Sequence, residues 1–115
     1  MRNLVQILKA VSDENRLRIL KLLEKRELCV CELEVLLGLS QPAMSHHLKV
    51  LYNARLVDSF KEGLFVNYRL SNGDDPEVES LRKVLLEALE EKEKVRMDLD
   101  KMVSVNREEI CGGKS

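Results

Sequence analysis

Several residue types are scarce in this 115-residue chain, and each scarcity excludes a class of protein. Tryptophan is absent, only 3% of residues are aromatic, and only two are proline. Sheet-rich cores prefer β-branched and aromatic residues, so a helical, leucine-rich core is expected instead. No apolar run approaches the roughly 18 residues of a membrane span, and the N-terminus lacks the features of a signal peptide. We therefore expect a single domain located in the cytoplasm.

An excess of positive charge is also missing, because 19 basic residues face 20 acidic ones and the formal net charge is −1. The charges are nevertheless spread unevenly along the chain. Residues 38–70 carry four Lys or Arg and two Asp or Glu, whereas residues 76–115 carry eight basic and ten acidic residues. This distribution allows a local phosphate-binding face on a nearly neutral molecule.

The three cysteines, Cys29, Cys31 and Cys111, are too few and odd in number for a disulfide framework in a cytoplasmic protein. Metal binding, redox sensing and a plain buried thiol are the alternatives. Cys29 and Cys31 stand at the predicted start of a helix, where exposed backbone N–H groups stabilise thiolates. Thiolates are the ligands that select thiophilic ions. On these residues alone, two small core side chains are an equally good interpretation.

Apolar residues recur with helical spacing in five segments, namely 4–11, 15–25, 30–37, 40–54 and 76–104. Gly38 is placed to end the third helix and Ser40 to cap the fourth, and two helices joined by such a tight turn form a helix-turn-helix. The last segment would be one helix of ~43 Å. Its apolar residues follow a heptad pattern, which predicts pairing with a second copy of the chain. The two rows of that pattern are Val78, Leu85 and Leu99, and Leu81, Ala88, Val95 and Met102.

The periodicity changes to two after the fourth helix, where Leu64, Val66, Tyr68 and Leu70 alternate with other residues. The preceding residues 57–61 can pair with this strand through a turn at residues 61–64. A hairpin directly after a helix-turn-helix is a wing. The predicted fold is therefore mainly α with a β-hairpin, a dimeric winged helix-turn-helix over residues 1–104 with dimerisation helices at both ends. A flexible tail is expected over residues 105–115.

The fourth predicted helix has a distinct polar side. With Met44, Leu48 and Leu51 inward, its opposite side presents a set of polar residues: Gln41, Ser45, His46 and Lys49. Such groups contact base edges and phosphates when a helix lies in a DNA major groove. For each polar residue taken singly, an ordinary solvated helix face is the competing interpretation.

Four segments, SDENRLRILKLL, ELCVCEL, SQPAMSHHLKVL and LVDSFKEGLFVNYRL, together resemble the ArsR/SmtB family of dimeric winged-helix metalloregulatory repressors. The likeness extends over about residues 4–90. It implies that the fourth helix reads double-stranded operator DNA, that the wing tip lies beside the minor groove, and that the first and last helices form a homodimer. Phe60 and Leu64 stand where the family often has Arg or Lys, so this wing is less basic. The DNA-contacting residues implied are Ser40, Gln41, Ser45, His46, Lys49, Lys61 and Gly63.

The resemblance also implies a ligand. In arsenic-, cadmium- and lead-responsive members, the cysteines of this motif bind the inducer, so As(III), or else Cd(II) or Pb(II), is expected at Cys29 and Cys31. No cofactor is needed for DNA binding itself. Trivalent arsenic prefers three thiolates, but Glu34 occupies the position of the family's third cysteine. The missing arsenic ligand would then be Cys111, an exogenous thiol or nothing, whereas Glu34 as an oxygen ligand would suit Cd(II), Pb(II) or Zn(II) better. The last helix has no histidine, which argues against the family's second, His-containing metal site.

Two other functions are compatible with the same sequence. The same thiols could make the repressor a redox or persulfide sensor, since two neighbouring thiols can trap oxidant or sulfane sulfur. Alternatively, the winged helix could serve only as a protein-interaction module without ligand sensing. An enzyme is not expected, because there is no Gly-rich phosphate loop and no catalytic set of Ser, His and Asp or of Cys and His.

Overall fold

The computed structural model describes residues 1–72 and 75–105. Its elements are α1 (Arg2–Ala10), α2 (Glu14–Lys25), β1 (Leu28–Cys29), α3 (Val30–Leu37), α4 (Gln41–Asn53), β2 (Val57–Glu62), β3 (Phe65–Leu70), α5 (Pro76–Leu89) and α6 (Glu93–Val103). The strands form one antiparallel sheet in the order β1-β3-β2. The predicted fold class, mainly α with a β-hairpin, is confirmed. No helix in the described part of the chain is long and apolar enough to span a membrane.

The helix-turn-helix forms because local signals fix both ends of its connection. Gly38 ends α3 with a φ of 68°, a left-handed conformation that favours glycine, and its N–H donates to the Glu34 carbonyl at 2.8 Å. Ser40 then caps α4, its hydroxyl accepting from the Ala43 N–H at 3.4 Å. Both roles are as the sequence predicts.

One core lies around α2 and receives side chains from every helix. Leu20 and Leu22 of α2, Leu33 of α3, and Met44 and Leu48 of α4 are all at most 1% exposed. Burying a side chain of this size stabilises the fold by about 1.5–3 kcal/mol. Since α3 and α4 share this core, their relative position is fixed by packing.

The hairpin differs from the prediction in two details. Its strands pair from Val57↔Leu70 to Glu62↔Phe65, so the loop is the two residues Gly63-Leu64 rather than residues 61–64. Gly63 has a φ of 62°, which suits this tight loop. β1, which is too short for a periodicity signal, covers the other edge of β3 and pairs Cys29 with Asn67. Asn67 is therefore only 3% exposed, although the predicted alternation places it opposite the apolar positions.

The prediction of a single helix over residues 76–104 is wrong, because the chain turns between Leu89 and Glu93. Lys21 of α2 stabilises the break: its ammonium donates to the Leu86 carbonyl at 2.9 Å and pairs with Glu90 at 3.0 Å. Beyond the turn, α6 packs against α2, and so the heptad pattern forms no continuous stripe. Val95 and Met102 are buried within their own chain, whereas Ala88 is exposed.

The return of α6 brings the end of the described chain back to α3. Val105 is 8% exposed and belongs to the core, so it is not part of the flexible tail predicted for residues 105–115. Its carbonyl accepts from Arg26 Nη2 at 3.0 Å. The folded part therefore includes residue 105. The rest of the predicted flexible tail, residues 106–115, lies outside the described residues.

Candidate nucleic-acid interface and thiol pair

The two sides of α4 are divided as the sequence predicts. Met44, Leu48 and Leu51 are buried, while the polar set is exposed. The Gln41 amide donates to the Ser45 hydroxyl at 2.8 Å, one turn further along the helix. This hydrogen bond holds the two side chains together on the exposed side. The other exposed members of the predicted DNA-contacting set on α4 and at its cap are Ser40, His46 and Lys49.

His47, next to exposed His46, is half-buried and contacts the start of α2. Its Nδ1 lies 3.1 Å from Arg16 Nη1 and 4.0 Å from the Asp13 carboxylate. Burial lowers the pKa of His47, and Arg16 lowers it further, although Asp13 opposes both. His47 is therefore held neutral at pH 7 and can accept a hydrogen bond from the Arg16 guanidinium.

The wing projects its tip away from the core. Lys61 and Gly63 are both exposed there, as the resemblance implies. Phe60 occupies a position where the family often has Arg or Lys, and the guanidinium of Arg69 lies over its ring, 4.6 Å from the centroid. This cation–π contact holds a guanidinium beside Phe60, although Arg69 also pairs with Glu27 at 3.7 Å. The sequence contained the signal, because Asp58 pairs with Arg69 and puts Arg69 on the same side of the hairpin as Phe60.

The thiol pair lies where β1 passes into α3. Cys29 is 1% exposed and caps α3, and Cys31 is half-buried in the first turn. The Cys29 N–H donates to Glu32 Oε1 at 2.9 Å, and the Cys29 side chain faces the Glu32 N–H, which is the arrangement of a capping box. The other carboxylate oxygen of Glu32 pairs with Arg26 at 3.3 Å.

Burial raises the pKa of the Cys29 thiol, and the negative charge of Glu32 raises it further, while the hydrogen bond from the Glu32 N–H opposes them. The expectation that the helix start stabilises a thiolate is therefore wrong for Cys29. The helix N-terminus does act on the sulfur, but desolvation and the neighbouring carboxylate outweigh it. Cys29 is a neutral thiol at pH 7.

The described residues supply two thiols and no complete metal site. Within residues 1–72 and 75–105, no three side chains of His, Cys, Asp or Glu are grouped so that they could hold a metal ion. Half-buried Glu34 is thus not brought together with both cysteines. Cys111, the other predicted ligand, lies outside the described residues. The pair fits an ion that accepts sulfur ligands, provided that a further donor comes from elsewhere.

A cleft of about 270 Å³ separates α4 from the hairpin, and we call it the α4–wing cleft. Val30, the residue between the two cysteines, forms part of its wall. The cleft therefore joins the thiol pair to the exposed side of α4. Sequence reasoning missed the two tyrosines of this cleft, because they come from separate elements. Its lining residues are Val30, Ser45, Leu48, Lys49, Tyr52, Ser59 and Tyr68.

Residues 13–59 match the profile of the bacterial regulatory protein arsR family. A curated relative, the arsenical resistance operon repressor of Escherichia coli (strain K12), is 47% identical over 68 residues, which is 58% of this chain and 58% of that protein. The chain thus aligns with little more than half the length of this relative.

Solved structures match over more of the chain. Reduced HlyU from Vibrio cholerae N16961 superposes with a TM-score of 0.65 at 40% identity, covering 76% of this chain and 88% of that one. The homodimeric winged helix-turn-helix DNA-binding domain of Mb0332 from Mycobacterium bovis superposes with a TM-score of 0.67 at 27% identity, covering 78% and 81%. On this evidence, the chain belongs to the arsR family of bacterial regulatory proteins and has the winged helix-turn-helix fold.

Proposed function

We propose that this chain is a homodimeric repressor that releases its operator DNA when a thiophilic ligand, As(III) foremost, binds Cys29 and Cys31. The observation that carries the proposal is the position of Val30. Val30 lies between the two thiols in sequence, and its side chain lines a cleft shared with Ser45 and Lys49 of α4. A displacement of the thiols therefore reaches the DNA-reading helix through a single side chain.

The proposed DNA-binding surface consists of the exposed side of α4 and the tip of the wing. In a dimer of this type, the two α4 helices enter successive major grooves about one helical turn apart. Exposed apolar side chains at the end of the fold formed by α1 and α5 support pairing with a second copy. Leu8 of α1 is 52% exposed and Val84 of α5 is 67% exposed, and such patches mark interaction surfaces.

Cys111 is the third sulfur ligand that we propose. The support is the return of the chain at Val105, whose carbonyl shares the Arg26 guanidinium with Glu32 of the capping box. Cys111 follows Val105 by six residues, and six extended residues span up to ~20 Å. The segment that carries Cys111 therefore starts close to the thiol pair of its own chain. Three sulfur donors would suit As(III), whereas Cd(II) or Pb(II) would also accept the Glu34 carboxylate.

Ligation would act on DNA binding by moving Cys29 out of the capping box of α3. Each thiol that joins As(OH)₃ replaces one hydroxide, which leaves as water with the thiol proton, so a neutral Cys29 is no obstacle. The ligand must bind the DNA-free form more tightly for release to follow. A coupling of about 1–3 kcal/mol would weaken operator binding about 5–150-fold.

Fluorescence anisotropy with an operator duplex, selected from a random-sequence pool, tests the proposal. Arsenite should release the wild-type protein and leave the Cys29→Ser/Cys31→Ser variant bound, because the variant lacks both sulfur donors. Ser104→Ala, a change in an exposed hydroxyl that directly follows α6, serves as the control and should respond like the wild type. Equal release of the double variant, or no release by arsenite, Cd(II) or Pb(II), would refute the proposal.

A redox or persulfide response is the second candidate. Two observations favour it: only two thiols are grouped within the described residues, and the similar HlyU structure is named as a reduced form. Hydrogen peroxide would oxidise the thiols of Cys29 and Cys31 to one disulfide: the S–S bond forms, the peroxide O–O bond breaks, and the two thiol protons leave with the oxygens as two waters. Non-reducing mass spectrometry after peroxide or polysulfide treatment distinguishes this response from metal binding, through loss of two hydrogens or gain of sulfur.

A further inference from the structure

The α4–wing cleft brings three hydroxyl donors that the predicted DNA-contacting set does not include beside Lys49, which it does include. Lys49 and Tyr52 project from α4, and Ser59 and Tyr68 project from the two strands of the wing. Hydroxyl and ammonium groups donate hydrogen bonds to anions. None of the described residues that line the cleft is acidic. The lining thus has the chemistry of an anion site open to solvent.

The pairing of the hairpin explains why these donors collect there. Residues two apart on a strand share a face, so the pairs Val57↔Leu70, Ser59↔Tyr68 and Lys61↔Val66 all face the same way. Val57 is 1% exposed and packs in the core, whereas Lys61 is exposed near the tip. Along this face the hairpin changes from apolar to hydroxyl-bearing to cationic, and the hydroxyl pair lies in the cleft.

The geometry of a winged helix on DNA identifies the anion. When α4 lies in the major groove and the wing lies beside the adjacent minor groove, one sugar–phosphate strand separates them. That strand must pass over the space between α4 and the hairpin. We infer that the α4–wing cleft is a seat for a backbone phosphate of duplex DNA, held by the hydroxyls of Tyr52, Ser59 and Tyr68 and by the charge of Lys49. This inference rests on the proposed DNA-binding function.

The side chains are prepared for that role. Burial raises the pKa of Tyr68 and nearby Tyr52 raises it further, while a hydrogen bond with Ser59 opposes both, so the phenol keeps its proton at neutral pH. The oxygen of Ser45 already accepts from Gln41, which leaves its own hydrogen to donate at the edge of the cleft. The volume of about 270 Å³ accommodates a phosphate group with several waters, each of which occupies about 30 Å³ in the liquid.

The phosphate seat also indicates which DNA contact the thiol pair would control. Val30 forms part of the wall of the α4–wing cleft, and Cys29 and Cys31 are its neighbours in the sequence. Ligation of those cysteines would move this wall and weaken a phosphate contact, which contributes to binding without reading sequence. Inducer should therefore lower the affinity for a random duplex as well as for the operator.

Salt-dependent anisotropy with a random-sequence duplex and with the operator duplex tests the inference, using KCl from roughly 50 to 200 mM. The variant Tyr68→Phe/Ser59→Ala removes two hydroxyls and no charge. It should bind both duplexes at least about 10-fold more weakly, because each lost hydrogen bond to a charged phosphate weakens binding by about that factor or more. The slope of the logarithm of the binding constant against the logarithm of the KCl concentration should stay unchanged for this variant. Lys49→Gln should reduce the magnitude of this slope by about 0.9 per protomer. Ser104→Ala, which removes an exposed hydroxyl at the C-terminal end of α6, is the matched hydroxyl control and should bind like the wild type.

Three results would overturn the phosphate seat. The first is wild-type affinity of Tyr68→Phe/Ser59→Ala for both duplexes at an unchanged melting temperature. The second is a loss of affinity confined to the operator duplex, which would show that these hydroxyls contact bases rather than the phosphate backbone. The third is saturation by millimolar inorganic phosphate without DNA, followed through the tyrosine ring resonances, which would indicate a small-anion site. Failure of the wild type to bind any duplex would instead refute the proposed function itself.

Discussion

Replacing Asp98 by alanine should loosen α6 from α2, because the Asp98 carboxylate makes a two-point contact between these helices. It accepts from Arg18 Nε at 2.8 Å and from Arg18 Nη2 at 2.8 Å. The side chains of Arg18 and Asp98 are 18% and 6% exposed, so the pair is largely removed from solvent. Removing one partner of a buried pair costs about 3–5 kcal/mol. Arg18 retains a hydrogen bond to Asn15 and some contact with water, and we expect about 2–3 kcal/mol.

Urea unfolding at a fixed protein concentration measures this loss, since dimerisation would otherwise change the apparent stability. Asp98→Asn keeps the size and one acceptor and should lose about half as much. Asp100→Ala, an exposed aspartate on the same helix, should change the free energy of unfolding by less than about 0.5 kcal/mol. In Asp98→Ala, amide hydrogen exchange, compared with the wild type, should accelerate more in α6 than in α4. Stability within about 0.5 kcal/mol of the wild type would refute the contribution that we assign to this contact.

Three further changes test the local physics. In the wild type, the free energy of unfolding should fall as the pH drops below about 6.5. Burial lowers the pKa of His47 in the folded chain, so the unfolded chain takes up the proton first. His47→Gln should flatten this part of the pH profile in urea titrations, and an unchanged profile would contradict the role assigned to His47. Gly38→Ala should cost about 1 kcal/mol, since alanine is strained at a φ of 68°, and a melting temperature equal to the wild type would contradict it. Glu32→Gln should lower the pKa of Cys29, because the Glu32 charge adds to the raising effect of burial. Ultraviolet absorbance of the thiolate, followed against pH, measures this pKa. A pKa equal to or higher than that of the wild type would exclude a contribution from the Glu32 charge.

Residues that act within one or two helical turns made the helix-turn-helix predictable from sequence. Asp13 and Ser40 cap the helices that follow them, and Gly38 ends α3 in the left-handed conformation. Each signal depends on a hydrogen bond or a backbone angle within a few residues of its own position. The polar side of α4 could be predicted for the same reason, because its period of 3.6 is a property of the local chain.

The position of the cysteines was also predictable, but their ionisation was not. The sequence places Cys29 and Cys31 at a helix start, and the structure agrees. The sequence-based expectation of a stabilised thiolate considered only the helix N-terminus. Burial of Cys29 within the fold, together with the Glu32 carboxylate, reverses the direction of the pKa shift at Cys29. Burial depends on the whole fold, so no local pattern could provide it.

The sequence by itself determined where most helices and the hairpin begin and end, because caps, glycines and apolar periods act over a few residues. Only the tertiary structure decided that residues 90–92 interrupt the last helix. Those residues, Glu90, Glu91 and Lys92, all favour helices locally, and the break depends on Lys21, far away in sequence, which binds the Leu86 carbonyl and Glu90. The same holds for the α4–wing cleft. Its donors come from α4 and two strands, and only packing brings such distant residues to one place.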